Sequence, residues 1–155
     1  MGPGGKMGWH KFLIYFALFA SAVLNLISGI ATMNGNQYGE YAQEVYELMP
    51  ALKTPDMVYG IVLIAIAALA IFTRFALAGF QRNGPKLVVA LYGAVIIVSV
   101  IYNIWGASIV EAAASDLGIS AGIDYANIGS SVAISAAMLA ANASYYKKRE
   151  SLFVN

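Results

Sequence analysis

Residues 57–80, MVYGIVLIAIAALAIFTRFALAGF, pass through the link QRNGPK at 81–86 into residues 87–110, LVVALYGAVIIVSVIYNIWGASIV. Each long piece exceeds the roughly 20 helical residues, at about 1.5 Å apiece, that a hydrocarbon core demands. Between them Asn83-Gly84-Pro85 is turn chemistry that ends one helix and opens the next, so the two runs are predicted to form a tight antiparallel hairpin. Outward from this hairpin lie two more apolar runs of similar length, residues 12–33 and 125–146. The first is longer than a secretory h-region and ends without a good cleavage signal, so it reads as a retained helix. The expected fold is an all-α membrane protein: a four-transmembrane-helix bundle in one membrane domain, with an extracellular amphipathic helix at 38–49 and a cytoplasmic tail at 147–155.

Composition agrees. The chain has 155 residues, 60% of them hydrophobic and only 11% charged, with no cysteine and one histidine. A water-soluble domain carries about 25% charged residues. Too few charges remain to cover a soluble globule, which excludes disordered, collagenous, nucleic-acid-binding and disulfide-stapled classes. The formal charge of +1 conceals a separation. Lys6, Lys11, Arg74, Arg82, Lys86, Lys147, Lys148 and Arg149 fall on the side of the termini and the 81–86 link, with one acid, Glu150. Glu40, Glu44, Glu47, Asp56, Glu111, Asp116 and Asp124 fall on the other, with one base, Lys53. The Lys/Arg bias places both termini in the cytoplasm.

Several polar residues have an ordinary structural explanation. Asp56, after Thr54-Pro55, and Asp124 stand where helix N-caps are expected. Arg74, near the inner end of its helix, reads as an interface anchor whose long side chain snorkels. In the first loop Tyr38, Tyr41, Ala42, Val45, Leu48 and Met49 recur at helical spacing, with Glu40, Gln43, Glu44 and Glu47 opposite. This predicts a helix on the outer surface, whose acidic patch of Glu40, Glu44 and Glu47 is either a solvated face or a site for a divalent cation or a basic partner.

Inside the apolar runs no acid, lysine or histidine stands at mid-depth, where pumps and proton-coupled transporters keep one. What polar content there is forms stripes: Ser21, Asn25, Ser28, Gly29 and Thr32 in the first run; Tyr92, Ser99, Asn103 and Gly106 in the third; Asn127, Ser131, Ser135 and Asn142 in the fourth. The second run offers almost none and is expected to be the most lipid-exposed. The stripes have two readings. They are interhelical glue, each hydrogen bond contributing about 0.6–2 kcal/mol, supported by a small-residue ridge of Gly129, Ala133, Ala137 and Ala141. Alternatively Asn25, Tyr92, Tyr102, Asn103 and Ser131 line a cavity for a neutral or weakly charged ligand. A faint internal repeat pairs Asn25 and Gly29 with Asn103 and Gly106, and Asp56 to Gly60 with Asp124 to Gly129.

Thiol chemistry is excluded by the lack of cysteine, and bis-histidine haem ligation within one chain by the lone His10, itself read as an interfacial residue. No phosphate loop, nucleophile elbow or zinc motif is present, so no catalytic residue, cofactor or metal site is expected. Small multidrug transporters rely on a glutamate in the first helix that this chain lacks. Trp9-His10-Lys11-Phe12-Leu13 and Arg74-Phe75-Ala76-Leu77-Ala78-Gly79-Phe80 with Asn83-Gly84-Pro85 resemble uncharacterised small membrane proteins of gut clostridia, some of which carry an N-terminal zinc ribbon; its cysteines are missing here. The resemblance implies a bacterial plasma membrane and no functional residue. The expected function is a non-enzymatic module that binds a partner, a lipid or a small ligand. The alternative is a small oligomeric transporter or channel for a neutral or weakly charged solute or cation. The expected partners are the lipid bilayer, a second copy of the chain or another membrane protein, and not nucleic acid.

Overall fold

A computed structural model describes residues 7–122 and 125–155; of residues 125–128 and Ser131 only the backbone is described. The described residues are helical throughout, without a strand. Helix α1 runs continuously through Gly8–Phe12, a π turn at Leu13–Ala17 and Leu18–Met33. After a 3-10 segment, Asn36–Tyr41, come the short α2, Ala42–Leu48, a 3-10 turn at Pro50–Leu52 and the long α3, Lys53–Ala78. Helix α4, Gly84–Asp116, and α5, Tyr125–Lys147, complete the set.

Three stretches are long and apolar enough to cross a bilayer: Gly8–Leu48, Pro50–Ala78 and Gly84–Asp116. Helix α5, YANIGSSVAISAAMLAANASYYK, is not among them. Its serines and asparagines dilute the apolar content that carries the other three. The hairpin forms as its turn residues dictate. Gly79 follows the last turn of α3, and Asn83 precedes α4 with Pro85 in its first turn, where a missing N–H leaves no bond unmade.

The helices pack as a row, α1 on α3, α3 on α4 and α4 on α5, while α1 and α4 share no extended face. On α3 the buried residues Asp56, Gly60, Leu63, Ala67, Ala70 and Leu77 follow the alternating three- and four-residue spacing of a packed seam. Leu18, Ala22 and Gly29 form the matching seam on α1. The backbones come closest where Gly29 faces Gly60. A Cβ on Gly60 would stand 2.6 Å from the Gly29 oxygen, and one on Gly29 would stand 2.7 Å from the Gly60 oxygen.

This corrects one expectation. The second run is the most buried of the three apolar stretches, 39% against 28% and 11% in their most apolar windows, so it is not the most lipid-exposed. Its lack of polar side chains reflects close packing of small residues, which is how helices associate where lipid removes the hydrophobic drive. The glycine contact is not repeated among the described residues: Gly29 and Gly60 meet, whereas Gly106 and Gly129 have no described neighbour within 4 Å of a Cβ.

Arg74 is put to use inside the protein. A π turn disturbs the regular bonding of a helix. In α1 the Ile14 carbonyl in that turn accepts from Arg74 Nε at 2.8 Å, tying α3 to α1.

Candidate functional site

At the end where α3 begins, the sequence assembles a carboxylate clasp. Helix α3 starts at Lys53, so Asp56 lies inside the first turn and caps nothing, contrary to the N-cap expectation. Its side chain, 1% exposed, accepts three phenol hydroxyls instead. Tyr38 and Tyr46 donate to Oδ2 at 3.0 and 2.8 Å, and Tyr102 donates to Oδ1 at 2.7 Å. The donors come from the 3-10 segment, α2 and α4, so one carboxylate joins the 36–48 segment to two long helices. Hydrogen bonds to a charged group contribute about 1.5–3 kcal/mol each.

The loop is shaped for this. A single helix over 38–49 was expected, but the chain breaks at Gly39, where φ is 61° and ψ −134°. The break turns Tyr38 inward and leaves Tyr41 58% exposed. Gly35 is left-handed at φ 75°, and a Cβ there would stand 2.8 Å from the Tyr46 ring. A bare backbone at that position lets Tyr46 lie flat and reach Asp56. Tyr38 and Tyr46 meet edge to face at 5.5 Å, and Lys53 Nζ stands 5.5 Å from the Tyr46 ring centre. Burial first, then the bond to Asp56, raises the Tyr46 hydroxyl above the ordinary tyrosine range, and burial raises Tyr38 as well.

Below the clasp Tyr59 stacks on Tyr102, with centroids 4.0 Å apart and planes 7° from parallel. The Tyr59 and Ser99 hydroxyls are 3.3 Å apart. Beside this stack a groove of about 170 Å³ lies between α3 and α4, lined by Val58, Tyr59, Val62, Ile101, Tyr102 and Trp105 among others.

The opposite end is held differently. His10, 3% exposed, sits among Phe80, Tyr146 and Phe153, with ring centroids at 5.1, 6.0 and 5.7 Å. Its Nδ1 is 3.1 Å from the Tyr146 hydroxyl, and its buried Nε2 has no hydrogen-bond partner among the described residues. Trp9 Nε1 donates to Asn142 Oδ1 at 3.0 Å, and Asn142 Nδ2 donates to Met138 O at 2.9 Å. Both links join the base of α1 to α5. His10 is thus a core residue of this end rather than an interfacial one.

Of the five cavity candidates, the four whose side chains are described do not come together in one space. Tyr102 belongs to the clasp. Asn25 Nδ2 donates to Ser21 O at 2.7 Å and Ser21 Oγ at 3.1 Å, and Asn103 Nδ2 donates to Ser99 O at 2.8 Å. Both amides serve their own helices, so they neither bond across an interface nor face a shared space; α1 and α4 are separated by α3. Tyr92 is half-buried against the core near the other end. The side chain of Ser131 lies outside the described residues, as do that of Asn127 and Asp124. Glu40, Glu44 and Glu47 are all exposed, and Gln43 Nε2 donates to Glu47 Oε1 at 2.9 Å. Among the described residues no three His, Cys, Asp or Glu side chains gather as metal ligands do.

The residues missed in the sequence are Asp56 as a hub and Tyr38, Tyr46 and Tyr59 around it. A carboxylate opening the second apolar run, with tyrosines on both flanking segments, was the available signal. Compared with protein-family models, curated proteins and solved structures, the chain finds no match.

Proposed function

We propose that this protein crosses a bacterial plasma membrane four times, α5 included, with both termini and the α3–α4 turn in the cytoplasm. In this reading it is a non-enzymatic module that binds a partner, a lipid or a small ligand from within the bilayer. The observation that carries the reading is the groove between α3 and α4. Its lining is apolar and aromatic, and the stacked pair of Tyr59 and Tyr102 in its wall is tied to the clasp through Asp56. Binding sites of this kind combine an apolar lining with a few polar groups that set orientation. Charge separation supports the topology, and the meeting of α1, the hairpin turn and the C-terminal residues at one end is consistent with it. Permeation past Asn25 and Asn103 has less support, since both amides are engaged by their own helices.

The test uses a zwitterionic phospholipid with a diazirine on its acyl chain, incorporated in vesicles with the full chain. Cross-links are expected to concentrate on Val58, Val62 and Ile101, and to fall several-fold when Val62→Trp fills the groove. Labelling spread evenly over the exposed apolar faces, Leu24 and Ile27 included, would count against a site. Reporter fusions at Asn155 and within 81–86 test the topology; a reporter active on the outer face at either position overturns it.

A further inference from the structure

The charged end carries a second cleft, formed between the first turns of α4 and the last turns of α5, with a volume of about 520 Å³. Arg82 and Lys86 stand on one side and Lys147 on the other, with Glu150 at the rim. Below these heads the lining is Val89 and Ala143 among other small or apolar residues. Among the described residues Glu150 makes no ion pair with any of the three bases, so the lining holds three bases against one acid. Arg82 is anchored through its backbone. Its amide donates to Asn155 O at 2.8 Å, and the Asn155 amide donates to Phe80 O at 3.3 Å, so the C-terminal segment pins the turn. The positive end of the 33-residue α4 opens on the same side.

The cleft is thus cationic at its mouth and apolar below, on a chain whose apolar helix faces call for lipid. We propose that it binds one anionic phospholipid, the headgroup phosphate between Arg82, Lys86 and Lys147 and an acyl chain along Val89 and Ala143. A free phosphate would use the mouth but gain nothing from the apolar floor. A zwitterionic lipid would use the floor but bring an ammonium against three bases. Only an anionic amphiphile satisfies both halves. The proposal rests on the membrane reading above, yet it concerns a different pair of helices and a different headgroup charge.

Native mass spectrometry of the full chain in detergent, titrated with phosphatidylglycerol, phosphatidylcholine or inorganic phosphate, tests it. A phosphatidylglycerol adduct is expected at concentrations at least tenfold below those that give a phosphatidylcholine adduct. Arg82→Gln, Lys86→Gln and Lys147→Gln should each weaken it about fivefold, the effect of one basic residue beside an anionic headgroup. Glu150→Gln should strengthen it, and Val89→Trp should weaken it by blocking the floor while leaving every charge in place. Equal adducts with both lipids, indifference to all three glutamine variants, or displacement of the lipid by equimolar inorganic phosphate would each overturn the assignment. The outcomes are separable from the groove reading: acyl cross-linking at Val62 with loss of the headgroup preference sinks this cleft alone, and the reverse sinks the groove alone.

Discussion

The two ends of the protein solve the same problem, joining helices across a polar boundary, with opposite chemistry. At one end a single carboxylate gathers three hydroxyls from three elements, all pointing at one atom pair. At the other, aromatic rings enclose His10 and neutral partners link α1 to α5. A charge-centred junction concentrates its stabilisation in one residue, because every donor depends on the same acceptor. A ring-packed junction spreads it, because each contact contributes a little. The contrast implies that the first end is sensitive to one substitution and the second tolerant of most.

The largest effect should follow Asp56→Ala, which strands three half-buried hydroxyls. A loss of about 3 kcal/mol or more is expected in reversible unfolding of the detergent-solubilised protein. Hydrogen exchange should rise over residues 36–48 and stay unchanged over 150–155; equal loosening at both ends would dissolve the distinction between them. Next, Tyr46→Phe and Tyr102→Phe each remove one donor and should cost about 1.5–3 kcal/mol. Their combination should be less than additive, since both act through Asp56.

At the other end Trp9→Phe removes the donor to the Asn142 carbonyl oxygen and keeps a smaller aromatic ring in place. About 1 kcal/mol is expected, below either tyrosine variant; a larger loss would reverse the ranking of the two junctions. The smallest effect is one of pH. The Tyr38 and Tyr46 hydroxyls ionise above the ordinary 10.0 in the folded protein. A raised folded value means that their stabilisation is whole below the unfolded value and is lost as pH climbs through the folded one. Melting temperature should therefore hold level up to about pH 10 and decline above it, with the decline reduced in the double variant Tyr38→Phe/Tyr46→Phe. An unreduced decline would place the alkaline sensitivity elsewhere.

Much of the architecture is legible in the sequence. The apolar runs, the turn at Asn83-Gly84-Pro85 and the helical content follow from local rules, since a bilayer-length apolar segment has few ways to satisfy its backbone other than as a helix. The clasp was not legible, because its members lie at positions 38, 46, 56 and 102 and none marks the others by spacing. Asp56 beside Thr54-Pro55 fits an N-cap by local pattern, and the helix overrides it by starting three residues earlier, at Lys53. Asn25 and Asn103 misled for the converse reason. An amide on an apolar helix invites a partner across the interface, yet the carbonyl four residues back is nearer.

Composition and periodicity, being local quantities, determined that this chain is helical and rich in bilayer-length segments, and how its charge divides along the chain. Tertiary structure alone decided that the run poorest in polar side chains lies in the middle of the row, because the close approach of Gly29 to Gly60 depends on a helix crossing that no local pattern encodes. It likewise decided which tyrosines meet Asp56. Hydrogen bonds between distant residues are fixed by the helix packing, and packing depends on the shapes of both partners at once.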